Sequence, residues 1–334
     1  MAATARIYRG TPANVAFLAR ELRAGRLVAV PTETVYGLAA DATSAAACRR
    51  VFAAKGRPAS DPLIVHLART RDLPQVAVPN AAALLLARAF WPGPLTLILP
   101  KTAAVPDAAT AGLPSVAVRV PAHPLFRRLI RAAGVPLAAP SANPFGYVSP
   151  TTTAHVRDGL GRRIRHILEG GPARVGLEST IVDLRDPRRP VLRRPGAISA
   201  AQLARVLGVP VRAPRRPAAA RGRQVAPGQL ARHYSPRTPL VLHDRISRRA
   251  VAQGRPDEAW LLMAQPAWHP GRPGAARPVF WLDRAGDPRG AARRLFAALR
   301  ELDAAGFRRI QAERPPAGGL GDALRDRLDR AAAR

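Results

Sequence analysis

Short apolar runs bounded by glycine and proline alternate with amphipathic segments along the first two thirds of the chain. Such runs predict buried strands, whereas apolar residues spaced three or four positions apart predict helices that begin at caps such as Thr11 and Ser44. The pattern predicts strands at 26–30, 62–67, 95–100, 115–120, 135–140, 165–168, 178–183 and 191–194, and helices at 11–24, 44–54, 81–90, 123–133 and 199–207. We therefore predict an α/β domain over residues 1–208.

From residue 240 to residue 334 strands alternate with helical segments, which predicts a second, smaller α/β domain with a parallel sheet. The intervening residues 209–239 hold six prolines, seven arginines and no acidic residue. They show no apolar periodicity, so we interpret them as a semi-rigid linker. His233 and Tyr234 are unusual in a passive spacer, and a linker that folds back over the first domain would explain them.

The composition narrows the possible classes of protein. With 334 residues, of which 47% are hydrophobic, the chain can bury a sizeable core. The single cysteine, Cys48, excludes an internal disulfide framework and cannot by itself form a cysteine zinc site. The N-terminus lacks the apolar core of a signal peptide, and no run of about 18 apolar residues occurs. We expect a cytoplasmic protein that does not associate with membranes.

The formal net charge is +31, and so basic a surface attracts polyanions whatever its fold. The excess is spread over the whole chain, so we favour a compositional bias and expect only weak, salt-sensitive RNA binding. All but two of the 53 basic residues are arginines, and the lysines are Lys55 and Lys101. A lysine in this background suggests a position that needs a compact, flexible point charge rather than a guanidinium fork.

The densest group of unexplained polar residues lies between residues 26 and 66. Residues 32–36 supply three hydroxyls and a carboxylate at the end of a predicted strand, where open α/β sheets usually bind ligands. Lys55 and Arg57 then follow at a helix end, where they could grip a polyphosphate, and His66 lies in the next strand. Each also has a structural explanation, because cations complement helix C-termini and a histidine in an apolar strand is often a hydrogen-bonded core residue.

Further polar residues stand at strand ends later in the chain. Arg119 shares one face of a strand with small residues, which suits either a sheet-surface charge or a clamp for a carboxylate. Ser141 and Asn143 follow another strand and offer a hydroxyl and an amide, although such residues are also ordinary loop formers. The chain has no P-loop, no H-E-x-x-H motif and no G-x-S-x-G motif, so no P-loop nucleotide site, tightly held metal or nucleophilic serine is indicated.

Taken together, six segments in order resemble the YrdC-type domain of threonylcarbamoyl-AMP synthases. They read PTETVYGLAAD, KGRPASDPLIVH, SVAVRVP, SANPFGYVSPTT, GLESTIVDL and LRRPGAIS. PGQLARHYSP and GLGDALRDRLDRAA resemble the linker and the C-terminal domain of the long, two-domain form of that family. The resemblance implies a twisted mixed sheet flanked by helices, followed by a Rossmann-like parallel domain, with the linker folding back over the active site.

The resemblance also implies a reaction in which L-threonine, bicarbonate and ATP give threonylcarbamoyl-AMP and pyrophosphate. The product would pass to the machinery that modifies the adenosine beside the anticodon of certain tRNAs, and Mg²⁺ would arrive with ATP rather than in a dedicated protein cage. Positioning and charge neutralisation would suffice for this chemistry, without a protein nucleophile.

The resemblance assigns three overlapping sets of site residues. The central, catalytic set is Lys55, Arg57, Ser141 and Asn143. The threonine-binding set is Thr34, His66, Arg119 and Ser179, with Arg119 on the carboxylate. The ATP-binding set is Lys55, Arg57, Asp61, Ser115, Ser141, Ser149, Arg194 and Tyr234.

Two positions leave the assignment open, and two other functions compete with it. Asp61 stands where the family usually has asparagine, and either Arg193 or Arg194 could bind phosphate, of which we favour Arg194.

A non-catalytic, basic RNA-binding protein is the main alternative to the synthase function. The carbamoyl-transfer maturation proteins that contain a similar domain are a third possibility, but they carry cysteine-rich zinc segments that a single cysteine cannot supply.

Overall fold

The computed structural model describes residues 4–212, 224–226, 233–268 and 277–333. The described residues contain two β-sheets. The strands are β1 Arg6–Tyr8, β2 Val28–Val30, β3 Gly37–Asp41, β4 Ile64–His66, β5 Leu95–Pro100, β6 Ser115–Arg119, β7 Leu137–Ala138, β8 His166–Leu168, β9 Thr180–Asp183, β10 Val191–Arg194, β11 Leu240–His243, β12 Glu258–Ala264, β13 Val279–Asp283 and β14 Arg309–Glu313.

The helices flank these sheets, and the caps predicted at Thr11 and Ser44 are confirmed. Thr11 and Ser44 each accept a hydrogen bond from a backbone N–H in the first turn of their helix. The helices are α1 Pro12–Arg23, α2 Ala45–Lys55, α3 Ala81–Phe90, α4 Asp107–Thr110, α5 Pro124–Ala133, α6 Thr153–Leu160, α7 Ala200–Leu207, α8 Arg248–Gln253, α9 Pro288–Ala304 and α10 Leu320–Ala332. Within the described ranges, none of them has the length and apolar character that crossing a membrane requires.

The first sheet has ten strands in the order β1-β8-β2-β3-β7-β4-β6-β5-β9-β10. It is mixed, because β4 and β6 run parallel whereas β2 and β3 run antiparallel. The second sheet has four parallel strands in the order β11-β14-β12-β13. Both sheets confirm the predicted fold class, a mixed sheet followed by a smaller parallel α/β unit.

Several predicted strands are shorter in the structure, and two strands had no counterpart in the prediction. The predicted strands at 62–67 and 135–140 shrink to β4 and β7. Both begin after a proline, whose missing N–H cannot join a ladder. The strands β1 and β3 were missed because each is short and lies beside stronger turn or cap signals.

Gly37 is the first residue of β3. A Cβ atom at this position would lie 3.2 Å from the Cβ of Ala139 and 3.4 Å from its carbonyl oxygen. The glycine is therefore required by a close approach between two chain segments rather than by a turn. This approach brings the segment after β7 against the start of β3.

The two α/β units are tightly packed against each other. One apolar cluster combines Val148 and Leu177 of the first unit with Phe296 and Leu299 of α9. Gly176 has φ +81°, and a Cβ there would lie 2.3 Å from the carbonyl oxygen of Ala292. Any larger residue at position 176 would therefore push α9 away from the first sheet.

Candidate active site

One pocket collects residues from the carboxyl ends of several strands and from the loops beside them. It is lined by Thr32, Thr34, Val35, Gly37, Arg57, Ile64, His66, Arg119, Ala139, Pro140, Ser141, Glu178, Ser179, Arg194, His233 and Tyr234. Strands β4 and β6 run parallel, so His66 and Arg119 lie at the same edge of the sheet and pair in register. Residues far apart in the sequence thus share one basic, hydroxyl-rich pocket.

Lys55 is the last residue of α2 and is 2% exposed. Its Nζ donates hydrogen bonds to the carbonyl oxygens of Ser141 and Asn143, each at 2.5 Å. Burial, with repulsion from Arg57, lowers the pKa of Lys55 well below its ordinary value. The lysine joins the end of α2 to the loop after β7 through neutral acceptors.

Arg57 is the second cation of this turn, and it is engaged by Asp61. The two side chains form an ion pair of 2.9 Å, and both are almost completely buried. Arg57 also donates from Nε to the carbonyl oxygen of Asp61 at 2.9 Å and from Nη2 to that of Pro62 at 2.7 Å. The carboxylate that departs from the family pattern therefore fixes a pocket-lining arginine.

Arg119 is the centre of a second buried cluster. It donates to the carbonyl oxygen of Gly93 at 3.1 Å and to the hydroxyl of Thr34 at 3.0 Å, and it pairs with Glu33 at 2.7 Å. Burial would raise the pKa of Glu33, but Arg119 and the N–H of Ala122 lower it below its ordinary value. Three of the five guanidinium N–H groups are thus directed at protein groups, which leaves two for a ligand.

His66 lines the pocket next to this cluster as a neutral side chain. Its Nδ1 lies 3.2 Å from the carbonyl oxygen of Ile64, and its ring lies 5.4 Å from that of Phe126. Burial, followed by repulsion from Arg119, lowers the pKa of His66 to about 3. The ring can therefore orient a ligand but carries no charge near neutral pH.

Arg194 lines the pocket beside Ser179, and its hydrogen bonds among the described residues do not go to a carboxylate. It donates from Nε to the carbonyl oxygen of Ser179 and from Nη2 to the hydroxyl of Ser179, both at 3.0 Å. Burial lowers the pKa of Arg194. Arg193 points elsewhere, because it pairs with Asp183 at 2.8 Å.

Several buried polar atoms, most of them beside the pocket, have no hydrogen-bond partner among the described residues. They are Glu33 Oε2, Ser115 Oγ, Asn143 Oδ1, His233 Nδ1 and Tyr234 OH. Folded proteins rarely leave such atoms unpaired, and each one carries an energetic cost. Four of them lie on residues that line the pocket or adjoin residues that line it, which is the arrangement expected of a binding site for a polar ligand.

His233 and Tyr234, which fall in the predicted linker, also line the pocket. Both are buried, and the rings of these two residues lie 4.1 Å apart. The pKa of Tyr234 is raised by burial, whereas burial and nearby cations lower that of His233. The space open to a water-sized sphere is about 40 Å³, whereas pockets for drug-sized ligands usually measure roughly 300–1,000 Å³. The cavity in this structure is therefore smaller than pockets of that kind.

Comparison with known proteins identifies the family. The Sua5_yciO_yrdC family, described as "Telomere recombination", matches residues 20–196, and the family described as "Threonylcarbamoyl-AMP synthase, C-terminal domain" matches residues 198–333. A Pyrococcus abyssi threonylcarbamoyl-AMP synthase is 41% identical over 320 residues, which cover 93% of this chain and 91% of that protein. The chain belongs to the threonylcarbamoyl-AMP synthase family.

Two further comparisons agree with this family. The Bacillus subtilis threonylcarbamoyl-AMP synthase is 39% identical over 333 residues and covers 96% of this chain and 93% of its own length. The crystal structure of P. abyssi Sua5 complexed with L-threonine superposes with a TM-score of 0.89 at 37% identity, covering 98% of this chain and 97% of that one. Membership of the threonylcarbamoyl-AMP synthase family favours an enzyme over the alternative of a non-catalytic RNA-binding protein.

The structure brings most of the residues predicted for this synthase family into one region. The pocket-lining members are Thr34, Arg57, His66, Arg119, Ser141, Ser179, Arg194 and Tyr234. Lys55, Asn143 and Asp61 lie directly behind them through the contacts described above. Ser149 is fully buried, and its hydroxyl donates to Glu178 at 2.5 Å. Ser115 lies apart from the pocket lining, at the far end of β6 from Arg119.

Three further residues hold this synthase-family pocket in shape: sequence reasoning noted the carboxylate of Glu33 without giving it a role, and it missed Glu178 and Arg327. Glu33 pairs with Arg119, Glu178 accepts from Ser149, and Arg327 of α10 donates to Glu178 at 2.7 Å. Glu33 and Glu178 stand inside the quoted motifs and could have been selected as buried carboxylates that need cations. Arg327 carries no local signal, because its partner is 149 residues away.

Proposed function

We propose that this chain catalyses the condensation of L-threonine, bicarbonate and ATP to threonylcarbamoyl-AMP, pyrophosphate and water. The amine of threonine adds to the carbon of bicarbonate with loss of water, or to CO₂ with loss of a proton, and either route gives a carbamate. A carbamate oxygen then attacks the α-phosphorus of ATP, and the bond to pyrophosphate breaks. The enzyme is on this proposal a nucleotidyltransferase, since an adenylyl group is transferred to the carbamate.

The observation that carries the proposal is the convergence of Arg57, Arg119 and Arg194 on one hydroxyl-rich pocket, with Lys55 hydrogen-bonded to its Ser141 wall from behind. Adenylyl transfer to a carbamate requires fixed positive charge and accurate positioning of the two reactants more than it requires a nucleophilic side chain of the protein. Lys55 and Arg194 are hydrogen-bonded mainly by neutral oxygens, so their charge remains available to phosphate groups.

Threonine fits the side of the pocket formed by Thr34, His66 and Arg119. The two remaining N–H groups of Arg119 can receive the threonine carboxylate, because guanidinium binds carboxylates in a planar, two-bond geometry. Thr34 and Ser179 supply hydroxyls for the amine and the side chain. The neutral ring of His66 adds orientation without repelling the ammonium form of threonine.

ATP fits the opposite side, between Arg57, Ser141 and Arg194, with Tyr234 as a cover. The Lys55 ammonium group lies behind Ser141 and would favour negative charge on the reacting phosphate. Ser149 and Ser115 are also predicted to contact ATP, although neither residue belongs to the pocket lining in this structure.

Mg²⁺ would be brought by ATP and held chiefly by phosphate oxygens and water. The carboxylates beside the pocket, Asp61 and Glu178, are each paired with an arginine. Among the described residues no group of three histidine, cysteine or acidic side chains is placed to hold a metal ion. When bound, the ion would neutralise charge on the departing pyrophosphate.

The test is the release of pyrophosphate from ATP by the purified full-length chain. We expect release only when threonine and bicarbonate are both present, together with formation of threonylcarbamoyl-AMP detected by mass spectrometry. Hydrolysis of ATP that ignores threonine would contradict the proposal if it were the sole activity. Transfer of the product to tRNA-modifying proteins, a cytoplasmic location and weak, salt-sensitive tRNA binding are further predictions of the same proposal.

A further inference from the structure

Two arginines of the C-terminal unit are buried against the first unit next to the pocket. Arg327 of α10 is 0% exposed and Arg300 of α9 is 8% exposed. Burying a guanidinium group is costly unless each of its N–H groups finds a partner. The hydrogen-bond acceptors of these two arginines belong largely to the segments that form or adjoin the pocket wall.

Arg327 contacts three segments of the pocket wall at once. Its Nε donates to Glu178 Oε2 at 2.7 Å, and its Nη1 donates to the carbonyl oxygen of Pro195 at 3.1 Å, next to Arg194. Its guanidinium carbon lies 5.1 Å from the ring centre of Tyr234. Asp326 also accepts a hydrogen bond from it at 2.7 Å. One side chain thus links Glu178, Arg194 through Pro195, and Tyr234.

The backbone of Tyr234 shows why such support is needed. Its φ is +62°, a left-handed conformation that residues with a Cβ atom adopt only when their surroundings hold them there. Its ring stacks on Phe296 of α9 at 5.6 Å, while Arg327 covers it from α10. The C-terminal unit therefore holds the position of Tyr234 in the pocket.

Arg300 supports the same wall through the backbone. Its Nη2 donates to the carbonyl oxygen of Val148 at 2.5 Å and its Nε to that of Ser149 at 3.4 Å. Ser149 donates its hydroxyl to Glu178, the carboxylate that Arg327 holds. The two arginines thus reach the same hydrogen-bonded group from two helices.

We propose that Arg327 is a positioning residue for the ATP side of the pocket, so that the C-terminal unit completes the active site rather than only carrying the linker. Arg327 acts through Glu178, Tyr234 and the Arg194–Pro195 segment and does not itself touch the reacting atoms. On the threonine side, Thr34, His66 and Arg119 have no described contact with Arg327, so we expect these three residues to keep their geometry without it. The assignment of that side to ATP rests on the proposed function.

The main test compares Michaelis constants of full-length variants. For Arg327→Met we expect the KM for ATP to rise by about tenfold or more, since displacement of a positioning group by about 1 Å is enough for such losses. The KM for threonine should stay within about twofold, because Thr34, His66 and Arg119 keep their own contacts. Arg294→Met is the matched control: Arg294 also belongs to the C-terminal unit, is partly exposed and pairs with Glu301 at 2.6 Å, so both constants should remain unchanged.

A second pair of variants separates positioning from stability. Arg327→Met leaves the buried Glu178 without its cation, and the double variant Arg327→Met/Glu178→Gln removes that unpaired charge. We expect the double variant to regain thermal stability while its KM for ATP stays above that of Glu178→Gln alone. Recovery of stability together with the KM of Glu178→Gln would overturn the proposal, because Arg327 would then serve only the domain contact.

Arg327→Lys decides the matter should both methionine variants fail to fold. Lysine keeps the charge beside Glu178 but cannot reach Glu178 and Pro195 together, so a several-fold higher KM for ATP at near-normal stability is expected. An unchanged KM for ATP in this variant would refute the positioning role. Direct binding of a non-hydrolysable ATP analogue is measured in parallel. If the wild-type protein binds the analogue but shows no threonine-dependent reaction, the proposed function is wrong. The role of Arg327 is then tested by comparing the affinities of the variants for the analogue.

Discussion

Lys55 and Arg194 of the first α/β unit and Arg327 of the second are all buried cations, but they are neutralised differently. In the first unit, Lys55 and Arg194 are hydrogen-bonded by carbonyl and hydroxyl oxygens. In the second unit, Arg327 is matched by two carboxylates, Glu178 and Asp326. The first arrangement leaves positive charge for a ligand, whereas the second completes its charge balance within the protein.

The difference shows that the overall charge of +31 says little about where the site lies. Many surface arginines are paired, as in the contact between Arg294 and Glu301, and exposed pairs of this kind contribute little. Burial combined with neutral acceptors distinguishes Lys55 and Arg194, whereas Arg57 and Arg119 line the pocket and also pair with carboxylates. Buried charge without a counter-ion is costly, so it is maintained where a ligand supplies the missing charge.

Replacing Lys55 should give the largest effect. We expect Lys55→Met to lower turnover by about 100-fold or more, because it removes the cation behind Ser141 and the tie to the loop that carries Asn143. Lys101→Met is the matched control, since the only other lysine pairs with Asp107 at 2.5 Å, outside the pocket lining. Pyrophosphate release is the measurement, and equal losses in both variants would contradict the distinction between the two lysines.

Arg119→Lys should have the next largest effect, and it should fall on threonine. Lysine keeps a charge for Glu33, but it loses the planar fork that would bind a carboxylate. We expect the KM for threonine to rise by about tenfold while that for ATP changes little. A larger effect on the KM for ATP would show that the two sides of the pocket are assigned the wrong way round.

Tyr234→Phe should have a smaller effect with two parts. The hydroxyl of Tyr234 has no partner among the described residues, so its removal should leave the free energy of unfolding unchanged or raise it by about 1 kcal/mol. If that hydroxyl contacts ATP, the KM for ATP should rise by a few-fold. Urea unfolding and steady-state kinetics of the same preparation measure both quantities. Clear destabilisation would contradict this expectation, because it would indicate that the hydroxyl has a hydrogen-bond partner in the folded protein.

The smallest expected effect is a change in the pH dependence of stability. The pKa of His66 is about 3 in the folded protein and 6.5 in an unfolded chain. Between these values the unfolded chain binds a proton that the folded protein does not, so stability falls as the pH drops from about 6.5 towards 3. For His66→Gln the slope of unfolding free energy against pH, measured between pH 7 and 5, should be smaller, by at most about one proton. An unchanged slope would show that His66 titrates normally.

The amino-acid sequence by itself determined the secondary structure of most segments and the site motifs. Caps such as Ser44 and alternation such as that in β6 act over a few residues, so they can be read locally. The motifs around Lys55, Arg119 and Ser141 also identified the residues that share the pocket. No comparable local signal marks β1 and β3, which lie beside strong turn and cap signals.

Only the tertiary structure decided which buried charges are satisfied within the protein and which remain open to a ligand. Asp61 was an unexplained departure until its ion pair with Arg57 was visible. Arg327 resembled any other arginine of an Arg-rich chain until α10 placed it against Glu178. Ion pairs between distant segments form only when tertiary packing brings the segments together, so local sequence patterns do not predict them.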